Sequence, residues 1–303
     1  MSNKVMNEKD LKVVTSTQNV MKVVVKIFLY LFLIVMAVIV LFPFYWMINS
    51  SLKTLSEYNQ AVPTFWPKQI MWSNYASAFK TANLGRLFLN TCYVGIVSTL
   101  LSLVITVLSA FAFARLEFKG KNALFAALLA TMMIPGELFT ITNYQSVAQF
   151  SKMPVLSFMG TGTYGVLIVP FLVSVFYIYL LRQNFMQIPN ELYLAAKVDG
   201  TSDLKYLWKV MIPLSLPTLI SITILKMMGA WNSYVWPRLV ANDDAHKLIT
   251  NGLRGADFID EAGYTNFPAQ MAAVALVSIP LFLVFVFLRK YIMKGVSRSG
   301  IKG

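Results

Sequence analysis

The chain has 303 residues, of which 57% are apolar and 13% charged, with a net charge of +13. That charged share is about half of what an ordinary soluble domain carries, which excludes a water-soluble globule of this length. A single Cys (Cys92) and a single His (His246) exclude an internal disulfide and make a poor basis for a metal site or a Cys/His nucleophile.

Residues 1–22 form a polar, Lys-rich tail with room for a short surface helix. Ile27–Ile48 then runs without Asp, Glu, Lys or Arg. It is longer than the apolar region of a signal peptide, and Phe42-Pro43-Phe44-Tyr45-Trp46 is a poor cleavage site, so it reads as a retained span. The segment 49–86 follows, with Trp66 and Trp72 suited to a membrane–water interface. Leu87–Ala114 is a second uncharged block, and Arg115–Lys121 a short basic loop. Asn122–Tyr144 holds one charge, Glu137. After a stretch near 145–160 within and around its start, the uncharged block Met153–Leu181 leads to a loop from Arg182 to Lys209. Val210–Trp236 again holds one charge, Lys226. The segment 237–266 carries Asp243, Asp244, Asp257, Asp260 and Glu261, and Ala262–Leu288 is a last uncharged block before the basic tail Lys294–Gly303.

Each block reaches the roughly 20 residues that a helix needs to cross the hydrocarbon core. With no water there to satisfy the backbone, helices are the simplest solution, and the blocks lack the alternation of barrel strands. The sequence therefore predicts an all-α, polytopic membrane helix bundle with six transmembrane helices. It divides into a tail (1–22), a first span with its external segment (23–86), a membrane core (87–293) containing the loop 182–209, and a tail (294–303). Prolines 43, 135, 170, 217 and 280 fall within the blocks and favour kinks.

The basic charge is placed as topology demands. With the N-terminus inside, the inner segments collect Lys4, Lys9, Lys12, Lys22 and Lys26, then Arg115, Lys119 and Lys121, then Arg182, Lys197, Lys205 and Lys209, and finally Arg289, Lys290, Lys294, Arg298 and Lys302. The outer segments collect Lys53, Lys68, Lys80, Arg86, Lys152, Arg238, Lys247 and Arg254. This excess inside predicts that both termini are cytoplasmic, and it accounts for the net charge without nucleic acid.

The inner loop contains Ile188-Pro-Asn-Glu-Leu-Tyr-Leu-Ala-Ala-Lys-Val-Asp-Gly-Thr-Ser-Asp203. Asn190 is placed to cap a helix, with Glu191 in its first turn. Leu192, Ala195 and Ala196 share a face at helical spacing, and Gly200 suits the left-handed residue that ends it. Ser202 or Asp203 then starts a second helix. The pattern describes either a docking knob or an amphipathic connector lying on the membrane.

In Ala195-Ala196, Asp199-Gly200 and Val210-Met-Ile-Pro213, the sequence resembles the cytoplasmic signature of permease subunits of ATP-binding-cassette importers. It departs from that signature at Leu194, where the family has Glu, and at Thr201, where it has Ala. Glu191 matches another acidic position of the sugar branch. The resemblance extends over nearly the whole chain to the second permease of maltose-type oligosaccharide importers. It rests on Pro43–Lys53, Asn74-Tyr75, Asn90-Thr91, Ala110–Arg115, Met133–Gly136, Gly229–Pro237, with Ser233 where the branch has Asp, and Gly295–Gly303.

That resemblance implies a non-enzymatic transport subunit in a bacterial or archaeal inner membrane, forming half of a path for a sugar or oligosaccharide. It implies a second homologous permease, two ATPase subunits and an external sugar-binding protein as partners. The chain has no Gly-x4-Gly-Lys-Ser/Thr phosphate cradle, so no cofactor is expected on it, with ATP and Mg held by the ATPase subunits. Glu191, Leu194, Ala195, Ala196, Asp199 and Gly200 are the expected ATPase-coupling residues, and the C-terminal tail is a further candidate contact. Glu137 and Lys226 are costly facing lipid, so they are expected to line the path or pair with each other, or else to snorkel. Asn143, Trp231 and Asn232 are candidates for sugar hydrogen bonding and stacking. Rival readings are an importer of a non-sugar solute, an ion-coupled secondary carrier, and a membrane-embedded enzyme.

Overall fold

The computed structural model describes residues 8–241, 243–260 and 263–297. Of the acidic segment Glu261, and of the C-terminal tail residues 298–303, lie outside them. The described residues are helical, joined by turns and one isolated bridge between Ile259 and Thr265. The first helix, α1 (Glu8–Ser51), carries residues 8–22 of the polar tail and the first span as one rod, while residues 1–7 lie outside the described residues. Its apolar stretch is exposed as far as Phe44, half-buried at Tyr45, Trp46 and Met47, and ends in the buried Asn49, Ser50 and Ser51. Two short helices follow, α2 (Leu55–Tyr58) and α3 (Ser73–Thr81). α4 (Leu84–Arg115) is the second span and the axis of the molecule.

The next three spans are broken. α5 (Lys121–Thr131) is followed by a tight turn at Gly136–Phe139 and α6 (Thr140–Phe150), bent by 82° from α5. α7 (Tyr164–Ile168) continues as a 3₁₀ turn to Phe171, and α8 (Val175–Met186) leaves it at 45°. The loop helix α9 (Asn190–Val198) and α10 (Asp203–Tyr206) precede a π turn and the short α11 (Ile212–Leu214). α12 (Leu216–Trp231) then departs at 80°. The prolines explain where these breaks fall. Pro135 precedes the turn after α5, Pro170 lies in the turn after α7, and Pro217 opens α12 just past Ser215. Each lacks the N–H a continuing helix would use, and a first helical turn is where that lack costs nothing. Pro43 and Pro280 instead sit inside continuous helices. Two short helices, α13 (Val235–Val240) and α14 (Ile249–Arg254), lead to the last span, α15 (Phe267–Ser297).

Among the described residues three helices are long and apolar enough to cross a membrane, and up to six spans result when each bent pair counts as one. The fourth block therefore begins its helix at Tyr164, not Met153, and the sixth at Phe267, not Ala262. α4 packs on α8 and α12, while α15 packs on α1, α3 and α12. Along α4 the buried face is small and polar: Asn90, Thr91, Gly95, Ser98, Thr99, Ser102 and Thr106. Such residues let helices approach closely where lipid removes the hydrophobic drive to associate. A Cβ at Gly95 would stand 3.4 Å from the Met227 side chain on α12, so the two helices are in van der Waals contact there.

Candidate translocation cavity and coupling helix

The breaks open a cavity of about 350 Å³ beside α4. Val94 and Ser98 of α4, Pro170, Phe171 and Ser174 at the fourth-span break, Tyr177 of α8, and Lys226, Gly229 and Ala230 of α12 line it. Ser233, Trp236 and Pro237 complete the wall. Trp236 donates its indole N–H to the Val166 carbonyl at 2.9 Å and meets Phe171 edge-on, with ring centroids 6.1 Å apart. Lys226 is half-buried and donates to the Phe171 carbonyl at the end of the broken turn.

Of the five residues expected along a path, only Lys226 reaches this cavity. Glu137 and Asn143 are exposed, on the turn after α5 and on α6. Of the alternatives for the two in-span charges, pairing is not seen: no ion pair joins Glu137 to Lys226 among the described residues. Trp231 is packing: it is buried against Phe88, edge to face at 5.0 Å, in the cluster of Ala78, Leu84, Leu87 and Ala272. Asn232 is exposed at the end of α12 and donates to the Met228 carbonyl at 3.0 Å. The sequence reading missed Ser98, Ser174, Tyr177 and Trp236. Hydroxyl groups inside otherwise apolar blocks were the signal for the first three, and Trp236 stood within the Gly229–Pro237 run.

At the far end of α4 the loop helix rests on a core of Ala110, Phe111, Leu181, Phe185, Tyr206, Leu207 and Met211. Tyr193 and Ala196 of α9 pack against that cluster. Leu192, Leu194, Ala195 and Val198 are exposed, Val198 to 88%. Ala196 therefore turns inward rather than sharing the outer face with Leu192 and Ala195. Tyr193 fixes the rotation, with its ring 5.1 Å from Tyr206 and 6.4 Å from Phe111. Pro189 stands at the cap and Asn190 is already helical, without the expected side-chain cap bond. The start is fixed by proline, which suits the edge of a helix. Gly200 has φ of 71°, and the N–H groups of Gly200 and Thr201 return to the Lys197 and Ala196 carbonyls at 3.0 and 2.8 Å. This is the left-handed helix ending that the glycine spacing predicts. Asp199 occupies the cap and is exposed, as is Glu191 in the first turn.

Asp203 does not cap α10. Its carboxylate turns back to α9, accepting from Lys197 and from the Tyr193 hydroxyl, each at 2.7 Å. The Lys197 bond, then the Tyr193 bond, holds the Asp203 carboxyl below its ordinary value, and the Asp203 bond raises the Lys197 ammonium. Two arginines fasten the base of the loop. Arg115 donates to the Phe185 and Ile188 carbonyls at 2.9 and 2.6 Å, and Arg182 donates to the Phe113 carbonyl at 3.0 Å while lying 4.1 Å over the Phe125 ring. The geometry is a stiff base presenting a short helix with an apolar outer face. No group of three or more His, Cys, Asp or Glu side chains placed to hold a metal exists among the described residues.

Comparison with known proteins places this geometry. Residues 11–298 match the family described as the binding-protein-dependent transport system inner membrane component. The arabinooligosaccharides transport system permease protein AraQ of Halalkalibacterium halodurans is 28% identical over 270 residues, covering 88% of this chain and 93% of that protein. The diacetylchitobiose uptake system permease protein NgcG of Streptomyces coelicolor is 27% identical, covering 88% and 86%. The sn-glycerol-3-phosphate transport system permease protein UgpE of Yersinia pestis is 26% identical, covering 90% and 96%. A chain in the crystal structure of a bacterial ABC transporter that imports the acidic polysaccharide alginate has the same fold, with a TM-score of 0.75 over 95% of this chain and 99% of that one, at 21% identity. The six-span arrangement, the broken third to fifth spans and the match over nearly its whole length agree: this chain is a multi-pass inner-membrane transport component of the binding-protein-dependent importer family.

Proposed function

We propose that this protein is one of two permeases in an ATP-driven sugar importer, and that it moves its cargo through the Lys226 cavity. The observation that carries the reading is α9: a short helix with exposed Leu192, Leu194, Ala195 and Val198, backed by Tyr193 and Ala196. An apolar outer face on so stiff a mount calls for a partner surface. In this reading the partner is an ATPase dimer on the cytoplasmic side, where the positive-inside bias puts this loop and both termini. ATP and Mg belong to that dimer. Closure of the ATPases pushes α9, and Arg115 and Arg182 pass the motion to α4 and α8. Glu191, Asp199 and the basic charges of the C-terminal tail supply polar contacts around the apolar centre.

A second permease covers the exposed α1 and the exposed side of α6, which brings Glu137 and Asn143 to the seam beside the path. Asn232 lies near the mouth. An external binding protein delivers the cargo at the opposite end. The similar permeases of arabinooligosaccharide and diacetylchitobiose systems support a sugar cargo.

Reconstitution with the partner permease, the ATPase and the binding protein tests this. Uptake of an oligosaccharide requires all four and ATP. Ion-coupled uptake by this chain alone overturns the reading. Gly200→Trp sharpens it. A Cβ at Gly200 meets nothing within 4 Å, so the side chain fits and the cost is the left-handed backbone, about 1–2 kcal/mol. Membrane insertion survives, while ATP-driven uptake falls at least several-fold because the indole stands in the docking face.

A further inference from the structure

The cavity has an uneven charge inventory. Its wall holds one cation, Lys226, and the hydroxyls of Ser98, Ser174, Tyr177 and Ser233, with no Asp or Glu. None of the ion pairs among the described residues involves Lys226. Glu137, the other charge within a span, is exposed and does not line the cavity. An uncompensated ammonium at membrane depth costs about 2.5–3.5 kcal/mol even by insertion scales, so its retention in a wall calls for a counter-charge. The Phe171 carbonyl takes one of its three protons and aims it from α12 toward the break between α7 and α8. A carbonyl supplies partial charge only, which leaves the ammonium able to accept a full anion.

We infer that the cargo is an anionic saccharide, whose acid group pairs with Lys226 while its hydroxyls meet the serine and tyrosine hydroxyls and its ring meets Phe171 or Trp236. The inference rests on the sugar-importer reading and names the class of sugar. A carboxylate fits better than a phosphate. One ammonium balances the single charge of one carboxylate group, whereas a phosphate ester concentrates more than one charge on a single group near pH 7 and is usually held by an arginine fork or several donors. The cavity, about 350 Å³, lies within the usual range of small-molecule sites, roughly 300–1,000 Å³. The binding step is non-covalent and needs no further group.

The test uses the complete transporter in proteoliposomes, with its binding protein and ATP, and three radiolabelled probes: digalacturonate, galactose 1-phosphate and neutral galactobiose. Wild type takes up digalacturonate in preference to galactobiose. Lys226→Met lowers digalacturonate uptake about ten- to a hundredfold, the loss expected for one charged hydrogen bond, and leaves any galactobiose uptake unchanged or raised. Lys226→Arg restores most of it. A Lys226-dependent uptake of galactose 1-phosphate alone keeps the anionic site and assigns the acid to phosphate. Uptake confined to galactobiose, or identical uptake of every probe by Lys226→Met, overturns the inference while leaving the importer reading intact. The latter result would mean that Lys226 pairs with a carboxylate of the second permease. ATP-dependent uptake of none of the probes or of any oligosaccharide, with all four components assembled, counts against the importer reading itself.

Discussion

At its first turns α4 meets its neighbours through amides and hydroxyls; at its last turns it meets them through aromatic rings and two arginines. Asn90 and Arg115 are 25 residues apart on the helix, so these regions stand about 38 Å apart. At the start, Asn90 donates to the Ala245 and Lys247 carbonyls at 2.8 and 2.9 Å and accepts from Tyr164 at 2.8 Å, while Thr91 accepts the Ile249 N–H at 2.8 Å. Asn251 holds the same loop closed by donating to Pro237 and Ala241 at 3.3 and 3.0 Å. That end is held shut by neutral side-chain amides and hydroxyls, while Leu89 and Tyr93 on the other face of α4 stay exposed. The other end fastens its base with Arg115 and Arg182, leaves the Lys197–Asp203 pair exposed, and turns Leu192, Leu194, Val198, Leu204 and Trp208 outward. The difference separates a region that must hold a loop still from one that must push on something.

Arg115→Met gives the largest expected loss. It strips donors from the buried Phe185 and Ile188 carbonyls, each an unsatisfied group costing about 1–3 kcal/mol. The detergent-solubilised complex should melt earlier, and ATP-driven uptake should fall further than the melting shift accounts for, because α9 loses its mount. A loss of stability with coupling intact would break the contrast, since it would make Arg115 a packing residue like any other.

Asn90→Leu should cost less, about 1–3 kcal/mol, because the freed Ala245 and Lys247 carbonyls are only part-buried and water can reach them. Here the ATPase activity of the complex should keep its basal rate, while its stimulation by the cargo-loaded binding protein falls as the 241–254 loop loosens. Basal and stimulated rates falling together would show that the two ends are not separate in function.

Much of this contrast was readable in the sequence, and the limits were physical. The six apolar blocks followed from the absence of charge, and the ending of α9 from Gly200, because only glycine enters that backbone region freely. The breaks were less readable. Pro43 and Pro280 lie in continuous helices, whereas Pro135, Pro170 and Pro217 lie at breaks. The residue is the same; the neighbours that re-satisfy the backbone differ, and they come from elsewhere in the chain. Ala195 and Ala196 were likewise indistinguishable by spacing until Tyr193 fixed the rotation of α9. Trp231 and Trp236, five positions apart, divide between core and cavity because the helix ends between them at Asn232. Periodicity finds a helix and its faces, but long-range contacts decide which face is used.

The smallest effect is expected at Glu57, in the segment between α1 and α3. Its carboxylate accepts from the Thr64 hydroxyl at 2.6 Å and from the Lys68 backbone N–H at 3.1 Å. Burial alone would raise the carboxyl, but these bonds and the charges of Lys53 and Lys68 outweigh it and hold the group below its ordinary value. A carboxyl lowered in the folded state binds fewer protons there than when unfolded. The stability it contributes is therefore fully present above the unfolded carboxyl range, roughly pH 4–4.5, and is lost as pH falls through the lower folded value. Glu57→Gln should melt slightly below wild type at pH 7, with the gap closing as the pH falls below about 4. The same experiment on the α9 end has a built-in control. Asp203 is lowered in the same direction by Lys197 and Tyr193, but its pair is exposed and should respond to salt, as surface pairs do. If 0.5 M salt closed the Glu57 gap as readily as that of Asp203→Asn, the buried, neutral-donor character assigned to this end would be wrong at the residue where it is most open to test.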